Sequence, residues 1–259
     1  KSRVKKVLLK EGKAVGVQIA NGEKIYGKNI ISNATRWDTF GGEGVKEPLV
    51  AMDYQPLAEK KWADRYKPSP SFLSLHLGVK SDLIPKGSHC HHLILNNWEE
   101  MESEQGVVFV SIPTLLDSGL APNGYHIIHA FTPSSIKGWA SLSPSSYKRK
   151  KEIDSSLLIS RIEQIFPGIT QNISHKEVGT PKSHRRFLGR HNGSYGPIPS
   201  MQLPGLLPMP FNTTGIKNLF CVGDSCFPGQ GLNAVAFSGF ACAHKVGAKL
   251  GINPWKLPN

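Results

Sequence analysis

The sequence predicts a mixed α/β fold of the α+β kind, in which antiparallel strands come first and a strand–helix unit closes the chain. Three observations predict it. Apolar and polar residues alternate between positions 4 and 31, and four more apolar stretches of strand length follow between 72 and 131. A short apolar strand near position 219 then runs through a glycine-rich turn into an apolar helix. With Gly 26 and Pro 19 in 259 residues, an all-helical bundle is excluded.

The first segment reads as a β-meander. Val4, Val7 and Leu9 alternate, then Val15, Val17 and Ile19, then Ile25, then Ile30 and Ile31. Glu11-Gly12-Lys13 and Asn21-Gly22-Glu23 supply the turns, and Asn-Gly is a strong hairpin signal because both residues tolerate positive φ. Positions 54–66 read as a helix ended by Pro68 and Pro70. The stretches 72–79, 92–95, 107–112 and 126–131 predict an antiparallel sheet with long loops between its strands. Positions 145–166 predict a helix with Leu157, Leu158, Ile162 and Ile165 on one face, started at Pro144-Ser145 and stopped by Pro167-Gly168. A short strand pattern lies around Val178, and positions 189–210 read almost entirely as loop, a length that usually carries function. The final units are a strand at 219–222 and a helix from Gly231 to Leu250.

Bulk properties narrow the function classes. The formal charge is +12, but the cations are scattered, with runs only at 148–151 and at Arg185-Arg186. No basic strip is interleaved with aromatic residues, so no nucleic-acid partner is expected. A weak attraction to anionic lipid fits better, and a simply solvated surface fits best. Cys90, Cys221, Cys226 and Cys242 show no CxxC spacing and read as free thiols. No apolar run reaches the ~18 residues of a membrane span. The chain opens with Lys1-Ser2-Arg3 directly into a strand pattern, so it is expected to be part of a longer polypeptide.

The stretch that carries chemistry is Leu219-Phe220-Cys221-Val222-Gly223-Asp224-Ser225-Cys226-Phe227-Pro228-Gly229-Gln230-Gly231-Leu232-Asn233-Ala234. A strand ends in Gly-Asp, a glycine turn follows, and a helix begins. A helix N-terminus offers unsatisfied N–H groups and a partial positive charge, so it holds an anion or an electron-rich carbonyl. Glycines let a flat ligand come close to the backbone. Asp224 can accept a hydrogen bond from a sugar or polyol hydroxyl. Gly229-Gln230-Gly231-Leu232-Asn233-Ala234 matches GxGxxA literally, but that fingerprint must open a βαβ unit with an acid about 20 residues on, and neither follows. On motif alone, a helix-capping glycine turn explains the stretch as well.

This stretch, with Phe211-Asn212-Thr213-Thr214 before it and Cys242-Ala243-His244 after it, resembles the carotenoid isomerases and their close paralogues, flavoproteins of the phytoene-desaturase type. Gly179-Thr180-Pro181, His184-Arg185-Arg186-Phe187, Tyr195-Gly196-Pro197, Ser111-Ile112-Pro113-Thr114 and Leu120-Ala121-Pro122 extend the resemblance. So does the run from Ile30 to Phe40 through Asn33-Ala34-Thr35-Arg36-Trp37. It implies FAD as cofactor and the C-terminal part of a Rossmann-like FAD-binding domain with an inserted antiparallel-sheet substrate domain. The implied parts are a meander and connection at 1–53, a substrate domain at 54–188, and a loop with the closing strand–helix at 189–259. Carried over, Gly223 and Asp224 lie by the ribityl–phosphate portion. Gly229, Gln230, Gly231, Leu232, Asn233 and Ala234 line the turn and helix end, with 231–234 by the pyrimidine edge of the isoalloxazine. Val4 matches a position that touches adenine, although a strand valine is commonly just core.

The implied reaction is cis-to-trans isomerisation of a poly-cis carotene, with a reduced flavin lowering the order of a C=C bond for a moment and no net redox change. The implied partners are a hydrophobic polyene, a membrane surface bound peripherally, and the N-terminal half of the same polypeptide, which holds the family's dinucleotide fingerprint. A plastid location follows, and this span alone is not expected to be active. No general acid is identifiable. Desaturation or saturation of the polyene is the redox alternative, and a non-catalytic fragment is the other.

Other residues have plain readings. His89, His91 and His92 flank Cys90, but adjacent strand residues point to opposite faces, so no metal site is expected. Arg185-Arg186 reads either as a phosphate or substrate-mouth contact or as a solvated turn. Cys221, Cys226 and Cys242 read as small buried residues. Pro208-Met209-Pro210-Phe211 reads either as the lining of an apolar tunnel or as packing.

Overall fold

The computed structural model describes residues 2–42, 44–198 and 209–252. Part of the loop expected at 189–210, including Pro208, therefore lies outside the described residues. The chain forms two compact units. One comprises the described residues up to Ser69 and those from Tyr195 onward, and the other is Pro70–Ser194. The sequence reading set its boundaries at 54 and 188.

In the first unit, β1 (Val4–Lys10), β2 (Lys13–Ile19) and β3 (Lys24–Tyr26) form an antiparallel meander in that order. Glu11 (φ 49°) and Gly12 (φ 71°) both adopt positive φ, the requirement of a tight two-residue hairpin whose twist matches its strands. Ile30 and Ile31 do not continue this sheet, as alternation alone suggested. They belong to β4 (Ile30–Ser32), which pairs in parallel with β10 (Leu219–Cys221), Ile30 opposite Leu219 and Ser32 opposite Cys221. The reason is burial. β3 is exposed along its length, whereas pairing with β10 packs Ile30 against Val7, Phe40, Leu219 and Cys221. Each apolar side chain buried in this way contributes ~1.5–3 kcal/mol.

Two helices of this unit follow β4, Phe40 of the first belonging to that core and Trp62 of the second to a separate aromatic cluster. α1 (Arg36–Phe40) is capped by Thr35, whose Oγ1 accepts from the Asp38 N–H at 3.0 Å. α2 (Leu57–Arg65) carries Trp62, whose ring lies 4.7 Å from that of Trp37 and 5.3 Å from that of Tyr66. This aromatic stack anchors α2 in the first unit.

The second unit is built on a five-stranded antiparallel sheet of β5 (Ser71–Lys80), β6 (His91–Leu95), β7 (Val107–Ser111), β8 (Tyr125–Ser134) and β9 (Ile173–Gly179), in the order β6-β7-β8-β5-β9. The four strands between 71 and 134 are those the apolar stretches predict. A short α3 (Lys137–Ala140) leads to α4 (Pro144–Ile165), which starts at the Ser143 cap with Pro144 in its first turn. Leu73, Leu75, Leu77 and Val79 alternate toward one face of the sheet, where Leu158, Ile159 and Ile162 of α4 meet them with Ile128 and Val110. α5 (Pro181–Leu188) follows β9 directly, with a reciprocal capping box between Thr180 and Ser183.

The strand register fixes what the opposite face carries. One row across it is Glu177, His76, His129, Ser111 and His91, each directly paired with the next. The His76 and His129 rings stack at 4.4 Å. The adjacent row holds Phe131 and Phe109, stacked at 4.9 Å, with Phe72 edge-on to Phe131 at 5.0 Å. No helix among the described residues is long and apolar enough to cross a membrane.

Candidate functional site

The closing strand β10 runs into a glycine turn and then into α6 (Leu232–Lys249), as the sequence predicts. The turn needs its glycines. Gly223, Gly229 and Gly231 have φ of 99°, 124° and 101°, a region that L side chains rarely enter. Gly223 is also fixed by space, because a Cβ there would lie 2.7 Å from Asn33 Oδ1. Gly231 faces open space, with nothing within 4 Å of an added Cβ.

The N-terminal end of α6 carries no side-chain cap. Ser143 caps α4 and Thr180 caps α5, whereas the N-cap of α6 is Gly231, and, as at Pro56 before α2, no side chain caps it. Its positive end is therefore presented by backbone N–H groups alone. Leu232 and Asn233 beside it are exposed, and Ala234 is half-buried. A buried polar knot holds this end in place. Asn212 donates through Nδ2 to the Cys221 carbonyl (3.0 Å) and to the Ser238 carbonyl and Oγ (both 3.2 Å). Ser238 Oγ also accepts from the Gly223 N–H at 3.2 Å, and the Cys221 N–H donates to the Asn212 carbonyl at 2.8 Å. Strand, turn and helix are thus locked at one point, with Ser238 fully buried on the second turn of α6.

Asp224 is only 7% exposed. Its carbonyl lies where a Cβ on Gly196 (φ 95°) would come to 2.8 Å, so Gly196 permits the close approach of the two segments. Gln230 Nε2 donates to the Pro197 carbonyl at 2.7 Å, which ties the turn to the same segment. Gly223, Asp224, Gly229, Gln230, Gly231, Leu232, Asn233 and Ala234 thus form one continuous element. Val4 does not join them: it pairs with Ile19 in the meander and is half-buried there. Its neighbour Val7 reaches the core that contains Cys221 and Cys226.

Arg36 is a residue whose part single-sequence reading did not assign. Its guanidinium is buried, with Nη1 donating to both Glu59 oxygens (2.6 and 2.5 Å) and Nη2 to the carbonyls of Phe211 (2.6 Å) and Thr213 (3.3 Å). Its backbone N–H donates to Ser225 Oγ at 3.0 Å. The only advance signal was the run of residues around it in the resemblance.

The other residues singled out in the sequence have the following surroundings. Cys221, Cys226 and Cys242 are buried free thiols, and burial pushes each of them above its usual range. His91 Nδ1 pairs with Ser111 Oγ and His92 Nε2 with the His89 carbonyl. Among the described residues no three His, Cys, Asp or Glu side chains come together to hold a metal. Arg185 and Arg186 are exposed on α5, with Arg186 over the Phe187 ring at 5.4 Å. Met209 is buried and Phe211 half exposed, the Phe211 ring 5.4 Å from that of Phe227.

No protein-family model matches the chain. Among curated proteins, it is 54% identical to the chloroplastic prolycopene isomerase of Daucus carota over 254 residues, 97% of this chain and 40% of that protein. It is 52% identical to the chloroplastic prolycopene isomerase of Arabidopsis thaliana, again over 97% of this chain and 42% of the relative. Among solved structures, an oxidoreductase from Methanosarcina mazei matches 94% of this chain and 49% of its own, with a TM-score of 0.57 at 18% identity. That likeness shows the mixed α/β fold. The chain spans about 40% of the length of these curated relatives, and over that span it is more than half identical to the prolycopene isomerases.

Proposed function

We propose that the protein of which this chain is a span converts a poly-cis carotene to its all-trans isomer, with FAD as cofactor and no net redox change. The observation that carries this reading is the uncapped, glycine-flanked N-terminus of α6, held rigidly to β10, in a chain more than half identical to the prolycopene isomerases over the span they share.

The residues fit a flavin. The backbone N–H groups at 231–234 offer donors and the positive end of a helix dipole to an electron-rich carbonyl, the character of the pyrimidine edge of the isoalloxazine. Gly229 and Gly231 leave room for a flat ring against the backbone. Gly223 and Asp224 lie at the strand end, suited to the polyol and phosphate portion, and Val4 is the candidate for the adenine. When bound, FAD would supply reversible electron donation to a conjugated C=C bond, chemistry no side chain here provides. The protein's part is to orient the ring and to stabilise the negative charge that reduction places on its pyrimidine edge.

The second unit is the proposed substrate unit. Phe72, Phe109 and Phe131 on the face turned away from α4 form an aromatic cluster suited to a planar conjugated chain. A plastid location and peripheral attachment to a membrane, where such a substrate dissolves, complete the reading.

The test uses the full-length parent with FAD reduced anaerobically, mixed with tetra-cis-lycopene and followed by chromatography with mass detection. All-trans product of unchanged mass supports the isomerase. A mass shift of two hydrogens places the protein with desaturases or saturases, and no conversion with reduced FAD bound removes the substrate assignment.

A further inference from the structure

We propose that Arg36 is a positioning residue for the flavin-holding turn, acting through Ser225 and through the segment at 211–213. The inference rests on the reading of the turn given above and adds a residue remote from the glycines themselves.

Arg36 is 2% exposed and Glu59 5%. Taking such a pair out of water costs several kcal/mol per ion, and well-packed apolar residues of the same volume often serve stability as well or better. The value of the pair therefore lies in what its directed donors hold. The guanidinium reaches acceptors on three residues in two parts of the first unit: Glu59 on α2, and the carbonyls of Phe211 and Thr213 in one segment. The backbone N–H of the same residue donates to Ser225 Oγ.

These contacts fall on both sides of the turn. Positions 211–213 bracket Asn212, whose side chain orients β10 and α6. Ser225 and Cys226 follow directly on Gly223-Asp224, and the Cys226 N–H closes back on the Gly223 carbonyl at 3.1 Å. The Phe227 N–H donates to the Pro210 carbonyl at 2.8 Å, so the two segments that Arg36 binds are also bound to each other. Among the described residues Arg36 Nε–H has no hydrogen-bond partner, so the donors of the guanidinium go to Glu59 and to the two carbonyls. The fork of the guanidinium is what reaches Glu59 and the two carbonyls at once, and an ammonium cannot reproduce it.

The experiment uses the full-length parent and three variants: Arg36→Met with Glu59→Met, Arg36→Lys, and Ser225→Ala. Each is measured for its urea midpoint, FAD dissociation constant, and the visible spectrum and reduction potential of bound flavin. The double apolar variant should unfold at or above the wild-type midpoint while its FAD dissociation constant rises on the order of tenfold, the value of one charge-assisted hydrogen bond. Its flavin spectrum and potential should shift. Arg36→Lys keeps the charge opposite Glu59 and loses the fork, so it should fold and show a smaller weakening. Ser225→Ala leaves the buried Arg36 N–H without its acceptor, so it should lower the urea midpoint and weaken FAD, with the shift in flavin spectrum and potential marking the positioning role. Variants that fold and bind FAD with wild-type affinity, spectrum and potential overturn the inference while leaving the reading of the turn intact. A wild type that binds no FAD overturns both. If the double variant does not fold, Arg36→Lys and Ser225→Ala decide the matter alone.

Discussion

Replacing Gly231 and Gly223 by alanine, one at a time, separates a cofactor-holding position from a packing position. Gly231 sits at φ 101° and ψ 153°, a region open to glycine and almost closed to other residues. Alanine there costs ~1–3 kcal/mol of backbone strain. Nothing lies within 4 Å of the added Cβ, so no steric cost is added. Gly223 sits at φ 99°, and its added Cβ would lie 2.7 Å from Asn33 Oδ1. The same strain applies, and pushing Asn33 aside adds ~1–3 kcal/mol, for about 2–6 kcal/mol together. Urea midpoints of the full-length apoprotein should therefore rank wild type above Gly231→Ala above Gly223→Ala. FAD affinity should rank differently. The methyl group of Gly231→Ala occupies space that the flavin needs at the helix end, so that variant should lose at least tenfold in affinity for a modest loss of stability. If Gly231→Ala binds FAD as tightly as wild type, the end of α6 does not hold the flavin.

Other expectations follow from the same geometry. Removing Glu59 alone, as Glu59→Ala, leaves Arg36 charged and buried, and should destabilise the protein by about 3–5 kcal/mol by urea denaturation, far more than the double apolar replacement. Ser238→Ala orphans the buried Gly223 N–H and should cost ~1–3 kcal/mol by the same measurement. Burial, with His76 nearby, holds His129 and His184 below their ordinary 6.5. A lowered folded value means that the unfolded chain takes up protons first, so this share of stability is complete above pH 6.5 and is lost as pH falls below it. His129→Asn should flatten that slope between pH 6.5 and 5 in urea midpoints, above the range where carboxylates titrate. Of Cys90, Cys221, Cys226 and Cys242, peptide mapping after brief treatment with a thiol reagent should find only the half-buried Cys90 labelled in the native protein, and all four after unfolding.

What the sequence discloses here is local, and what it withholds is contact across the chain. The meander is readable from Asn21-Gly22 and the alternation beside it, and α4 from its apolar face and the Pro167-Gly168 stop, because both signals lie within a few residues. The turn at 223–231 is readable because glycine marks positive φ. β4 is misassigned by alternation because its partner β10 lies nearly 190 positions away, and nothing local tells Ile30 which sheet will bury it. α1 and α5 are short, and their capping residues, Thr35 and Thr180, are weak signals without an apolar run to follow. The locks on the site, Arg36 with Glu59 and Asn212 with Ser238, join residues 23 and 26 positions apart, and no periodicity connects them.

The most direct measurement is the structure of the full-length protein with FAD bound. The pyrimidine edge of the isoalloxazine should lie within hydrogen-bonding distance of the backbone N–H groups at 231–234, with the turn at 223–231 unchanged. A flavin bound elsewhere, with the end of α6 facing solvent or another part of the polypeptide, would contradict the assignment of this turn as the cofactor's anchor.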